Sequence, residues 1–334
     1  MFYCIFHLRC LGTLLFYLCA MKLQLDFPKI DAPKLKETDI IFGLGSCFGN
    51  EVSQQLLQAF IPGMCNPFGT IFHPIPMAQQ LNRIMENSPF TPQDFETEQG
   101  SFFSYFSHTL LRGSSLEAVQ KNHNQQLANA NTILLKSTKL ILTFGTNWGF
   151  QLGETGEWVS NCQKQPAALF NREFAGGEEN SQHWIKTLQT LFAVNPGIEV
   201  IVTVSPVRHI KDGLSENNKS KAALITLVHQ LVATFPNQVF YMPSYEVILD
   251  VLRDYRFFAD DLCHINSLGL QCIMDWLQKE WFSPNMLSYW KAAKKVQNLF
   301  DHRVVSSNFL EIEQLERKKN QLVAEFNSRY HRFI

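Results

Sequence analysis

Two hydrophobic periodicities alternate along the chain from residue 39 to about 282. Ile40-Ile41-Phe42 is a short apolar run that predicts a buried strand. After Gly43-Leu44-Gly45-Ser46 the spacing changes, and Val52, Leu56, Leu57 and Phe60 fall on one helical face that Pro62-Gly63 ends. Further strands are predicted at 139–144 (KLILTF), 198–204 (IEVIVTV) and 239–242. The 198–204 run is apolar on both faces, as in a parallel strand covered by helices on each side. Helical spacing recurs at 75–86, 116–135, 181–193, 219–234, 245–254 and 267–281. Such alternation predicts a three-layer α/β domain with a mostly parallel sheet. Two insertions interrupt it: a Phe- and Thr-rich stretch at 89–112, expected as irregular strands, and a hairpin at 149–161 around Glu154-Thr155-Gly156-Glu157.

Beyond residue 286 the pattern is helical and charged, with Leu310, Ile312, Leu315, Leu322 and Phe326 on one stripe. The expected organisation is therefore a main domain at 22–283 and a helical appendage at 284–334, whose stripe packs on that domain or forms a homodimer. Residues 1–20 (MFYCIFHLRCLGTLLFYLCA) are apolar, with Arg9 their only formal charge. Three readings stand: a signal peptide cleaved near Ala20, an anchor interrupted by His7 and Arg9, or translation starting at Met21. The chain is cytoplasmic under the last reading and exported or membrane-tethered under the others.

Composition narrows the functional classes. The chain has 334 residues, 46% of them hydrophobic, enough for a full core and incompatible with a disordered chain or a rod. Lys+Arg 29 against Asp+Glu 30 leaves no basic surplus for nucleic acid or an anionic membrane, so neither is expected as a partner. No Cys-x-x-Cys pair occurs among the eight cysteines, and the histidines outside the site show no ligand spacing, so no metal and no cofactor are expected. The Gly43-x-Gly45 pattern has its next glycine at Gly49, the wrong spacing for a dinucleotide fingerprint.

Two segments carry candidate chemistry. Ser46 falls between a buried strand and a helix, at the carboxyl edge where parallel sheets bind ligands and helix N–H groups meet an anionic oxygen. His264 falls late in the domain, with Asp261 three residues before it and Asp260 four before. A carboxylate at that spacing reaches one imidazole nitrogen and leaves the other for proton transfer. Ser46, Asp261 and His264 thus fit a nucleophile–acid–base set in the order Ser…Asp…His, with Asp260 preferred instead for a helix cap or a pair with Arg256. Cys47 offers a thiol at the same helix start, but one position after the serine it is expected to pack inward.

Gly45-Ser46-Cys47-Phe48 resembles the signature of the GSCFA family, a branch of the SGNH (GDSL-like) hydrolases, with Gly49 where that signature has Ala. The resemblance continues through Asn66-Pro67-Phe68-Gly69, Gly145-Thr146, Asn161-Cys162, Ser205-Pro206-Val207-Arg208-His209 and Arg253-Asp254-Tyr255-Arg256-Phe257, and into the tail at His302-Arg303. It implies a flavodoxin-like SGNH-hydrolase sandwich with esterase or acylhydrolase activity on a small-molecule or glycan ester. By that likeness Ser46 is the nucleophile, His264 the base and Asp261 its partner. An oxyanion hole would comprise the Ser46 and Gly69 N–H groups and the side chain of Asn147, with Asn161 as the other candidate amide. Arg208 and His209 follow the most buried strand and either bind substrate or fix their loop. Two other functional classes remain: a carbohydrate- or acyl-binding module, with Phe102, Phe103, Phe106 and Trp148 as stacking surfaces, and an O-acyltransferase using the same residues.

Overall fold

The computed structural model describes residues 24–301 and 309–331; the apolar segment 1–20 and the His302-Arg303 motif lie outside the described residues. In chain order, β1 (Ile41–Gly45) leads into α1 (Cys47–Gln58), β2 (Gly63–Cys65) and α2 (Pro74–Glu86). A hairpin of β3 (Glu96–Glu98) and β4 (Ser101–Phe103) precedes α3 (Leu116–Lys136) and β5 (Lys139–Phe144). Next come β6 (Trp148–Leu152), β7 (Trp158–Val159) and β8 (Phe170–Phe174), which form a small antiparallel sheet in the order β7-β6-β8. Then follow α4 (Gly177–Val194), β9 (Glu199–Val204), α5 (Leu214–Thr234) and β10 (Val239–Tyr241). A π-helical segment, Val247–Leu252, and the helices α6 (Ser267–Glu280), α7 (Pro284–Asp301) and α8 (Phe309–Tyr330) complete the chain.

The central sheet has the order β2-β1-β5-β9-β10, and every pairing in it is parallel. Counted along the chain, its five strands are ordered 2-1-3-4-5, the flavodoxin-like arrangement, whose ligand crevice opens where the order reverses, between the first and third strands. Here those strands are β1 and β5. Side-chain alternation divides the core into two layers. Ile41, Ile141 and Ile201 face one cluster with Phe48, Val52 and Leu56 of α1 and Trp276 and Leu277 of α6. Phe42, Leu44, Leu140, Leu142, Val200 and Val202 face the other, with residues of α2, α3, α4 and α5.

The appendage is docked on this domain. Met286, Tyr289, Trp290, Ala293 and Val296 of α7 and Phe326 of α8 are buried in the same cluster as α1, and the Tyr289 hydroxyl donates to the Phe60 carbonyl at 2.8 Å. No described helix is long and apolar enough to cross a membrane.

Candidate active site

The turn from β1 into α1 is unusually constrained. Gly45 has φ +144, and a Cβ there would lie 2.8 Å from Thr143 N and 2.9 Å from its carbonyl carbon. Only glycine lets β1 approach β5 this closely. The Gly45 N–H donates to Asn66 Oδ1 at 2.8 Å, and Asn66, itself at φ +46, donates its own N–H to the Gly43 carbonyl at 2.9 Å. Asn66 therefore acts as a clamp that fixes the β1–α1 turn.

Ser46 is still on the sheet ladder: its N–H donates to the Thr143 carbonyl at 3.1 Å. Its side chain is wholly buried, with no hydrogen-bond partner for Oγ. The residue of this junction that reaches open space is Cys47, half-buried at the wall of a cavity of about 630 Å³. Cys47 also packs against the core cluster of α1 and α6, the inward packing expected of it, while one side of it borders the cavity. The strand runs three residues past the predicted Phe42, to Gly45.

His264 and Asp261 line the same cavity. Their loop is closed by the Phe258–Ile265 bridge and by the Ala259 N–H donating to the His264 carbonyl at 2.8 Å. Asp261 Oδ1 accepts the N–H groups of Cys263 (2.9 Å) and His264 (3.0 Å), an Asx turn that aims its other oxygen at the imidazole. Oδ2 lies 2.6 Å from His264 Nδ1. These three donors hold the Asp261 carboxyl down to about 2, the His264 side chain first among them. Asp261 is thus the partner of His264, and Arg256 pairs with Asp254 instead of Asp260. Arg208 fixes this loop, donating from Nη1 to the Leu262 carbonyl at 2.9 Å with its guanidinium 4.1 Å from the centre of the Phe258 ring.

The remaining walls come from the ends of the sheet strands and from the small antiparallel sheet. Phe72, Thr146, Trp148, Phe150, Arg172 and His209 all face the cavity, as does Asn161. Arg172 makes a two-pronged ion pair with Asp212, and its guanidinium holds that carboxyl below its usual range. Burial, reinforced by Lys221 and His264, lowers the His209 imidazole to about 4, so it is neutral, and its buried Nε2 has no partner. Asn161 closes a turn, its Oδ1 accepting the Gln163 N–H at 2.8 Å. Arg172 and Phe150 carry no sequence signal, because their approach depends on how β6 and β8 fold back over the sheet edge; Lys211 sits in the short helical turn Ile210–Asp212 after β9.

The expected oxyanion donors are placed differently. The Ser46 N–H is engaged by Thr143, as above, and the Gly69 N–H donates to the Asn66 carbonyl at 2.9 Å. Gly69 (φ +91) packs against His108, where a Cβ would lie 3.0 Å from Cγ of that ring. Neither N–H is free to meet an oxyanion in this geometry, since each already completes a backbone pairing. Asn147 is fully buried between Thr146 and Trp148; its Oδ1 accepts from Asn180 Nδ2 at 3.0 Å and its own Nδ2 has no partner. Phe102, Phe103 and Phe106 do not line the cavity; the Phe106 ring packs 5.3 Å from those of Phe68 and Phe90. Of that aromatic group only Trp148 faces it. Among the described residues, no group of three or more His, Cys, Asp or Glu is placed to hold a metal ion.

No curated protein matches the chain. Among solved structures, a carbohydrate esterase family 3 protein from Talaromyces cellulolyticus is similar at 11% identity and a TM-score of 0.35, over 76% of this chain and 98% of that one. So low a score carries no argument about chemistry. The sequence itself is more informative: the GSCFA family model matches residues 40–276, from β1 through most of α6, and includes both the β1–α1 turn and the Asp261–His264 loop. The chain belongs to the GSCFA family.

Proposed function

We propose that this chain is an ester hydrolase of the SGNH type that removes an O-acyl group from a glycan or another small molecule. The observation that carries the reading is the His264 Nδ1–Asp261 Oδ2 contact of 2.6 Å on the wall of a cavity at the carboxyl edge of the sheet, facing the β1–α1 junction. A carboxylate on Nδ1 fixes the tautomer that leaves Nε2 basic, and it stabilises the imidazolium formed when Nε2 takes a proton. The nucleophile comes from the β1–α1 junction. There the unpaired N–H groups of the first turn of α1, and the dipole behind them, favour the negative charge of a tetrahedral intermediate. Ile71, Phe72 and Trp148 give the cavity an apolar lining for an acyl chain or a sugar face, and Arg208 and Lys211 bring positive charge to its wall.

The test is hydrolysis of short-chain aryl esters by the wild-type chain and by His264→Ala. Loss of the general base is expected to lower kcat by about 10²–10⁴-fold. An unchanged rate in the variant would falsify the reading.

A further inference from the structure

We propose that the attacking atom in this cavity is the Cys47 thiol and that the neighbouring Ser46 is a buried structural residue. The inference rests on the hydrolase reading above and names its nucleophile. Of the two residues at the junction, only Cys47 shares the cavity wall with Asp261 and His264. Ser46 is 0% exposed, and its Oγ is buried without a hydrogen-bond partner and is absent from the cavity wall. Cys47 is the first residue of α1, where the backbone N–H groups of Cys47 and Phe48 favour its charged form. A thiolate formed there is met by backbone donors and by the positive end of the helix.

The surrounding charges agree with a thiol that is activated only when it attacks. Burial, aided by the Glu51 carboxylate, holds the Cys47 thiol above its usual range, so the resting group is protonated. Lys221, whose amine burial lowers to about 7, opposes this in its charged form; it donates to the carbonyls of Gly145 (2.6 Å) and Ser205 (2.7 Å), where β5 and β9 end. Glu51 also interacts electrostatically with His264, and Cys47, Asp261 and His264 line one cavity.

The step balances without a co-reactant other than water. His264 Nε2 takes the Sγ proton as sulfur adds to the ester carbonyl. The tetrahedral intermediate then expels the alcohol, which takes that proton from His264, and a thioester remains on Cys47. Water attacks the thioester with His264 again as base, releasing the acid and restoring the thiol.

Four forms of the full chain decide the matter: wild type, Ser46→Ala, Cys47→Ala and Cys47→Ser, with His264→Ala as control. Each is assayed for turnover of a short-chain aryl ester and for alkylation by iodoacetamide followed by peptide mapping; circular dichroism checks the fold. Expected are loss of turnover by about 10³-fold or more in Cys47→Ala, partial recovery in Cys47→Ser, and substrate-protected alkylation of Cys47 that Ser46→Ala leaves intact. Alkylation should slow in His264→Ala, which a merely packed cysteine would not show. Turnover that survives Cys47→Ala but dies in Ser46→Ala overturns the assignment while leaving the hydrolase reading intact. Turnover indifferent to His264 as well overturns both. If wild type does not turn over aryl esters, alkylation of Cys47 that is slow and independent of His264 overturns the assignment by itself.

Discussion

Gly49 stands where the family signature has alanine, and the structure gives a reason that can be measured. An added Cβ at this position would lie 2.6 Å from the Thr143 Cβ and 3.2 Å from its Cγ2, with Oγ1 closer still. Thr143 is 1% exposed, β-branched and paired with both Gly45 and Thr203 in the middle of the sheet, so it has no route to move aside. Overpacking a rigid site typically costs about 1–3 kcal/mol. Against this, alanine in place of glycine in a helix is worth up to about 1 kcal/mol. The net expectation for Gly49→Ala is a loss of about 1–2 kcal/mol, read as a lower denaturation midpoint in urea. In a Thr143→Ala background the obstructing atoms are gone, and the same substitution should become neutral or stabilising. The double-mutant cycle should therefore return a coupling of about 2 kcal/mol. Equal effects of Gly49→Ala in the two backgrounds would refute the contact as the cause. Gly49 lies in the first turn of α1, two residues after Cys47, so the same contact seats the start of that helix on β5.

Three further outcomes are expected. Asp261→Asn keeps an acceptor for the Cys263 and His264 N–H groups but turns a donor toward Nδ1, so kcat should fall by about 10²–10⁴-fold with an unchanged melting temperature; a wild-type rate would deny the carboxylate its role. Burial holds the imidazoles of His73 and His209 down to about 3 and about 4. Between pH 6.5 and 4 the unfolded chain consequently binds more protons than the folded one, and stability should drop on acidification by up to about 1.4 kcal/mol per pH unit for each group. Urea unfolding at pH 7, 6 and 5 measures this, and a flat profile over that window would contradict it. His73 is the stronger case, since Nδ1 accepts the Ile75 N–H at 3.2 Å while Nε2 faces the Asn147 carbonyl at 3.1 Å, an arrangement only the neutral ring can keep. Arg208→Ala removes the anchor on the Leu262 carbonyl and should lower kcat more than it raises KM; the reverse pattern would mark Arg208 as a substrate-binding group.

What was legible in the sequence was what burial on two sides writes into it. β5 and β9 are continuous apolar runs and lie almost where the pattern puts them, at Lys139–Phe144 and Glu199–Val204. β2 was missed because three half-buried residues, Gly63–Cys65, at the sheet edge carry no periodicity. β8 does alternate, with Phe170, Arg172 and Phe174 on one side, but its apolar positions are only half-buried and its register depends on β6. At the site, the Asp261–His264 spacing was readable since an Asx turn is local. The relative exposure of Ser46 and Cys47 was not, because it depends on how the β1–α1 turn packs against β5. That in turn depends on Asn66 and Thr143, far along the chain.

Acyl transfer in the cavity at the carboxyl edge, as proposed above, passes through a covalent intermediate. The most direct measurement is rapid mixing of the full chain with an excess of an aryl acetate, quenching in acid, and intact-mass and peptide analysis. Expected are one acetyl group per chain on the peptide spanning the β1–α1 junction, and none on the same peptide of His264→Ala. An acetyl group elsewhere in the chain, or turnover with no adduct on that peptide, would contradict it.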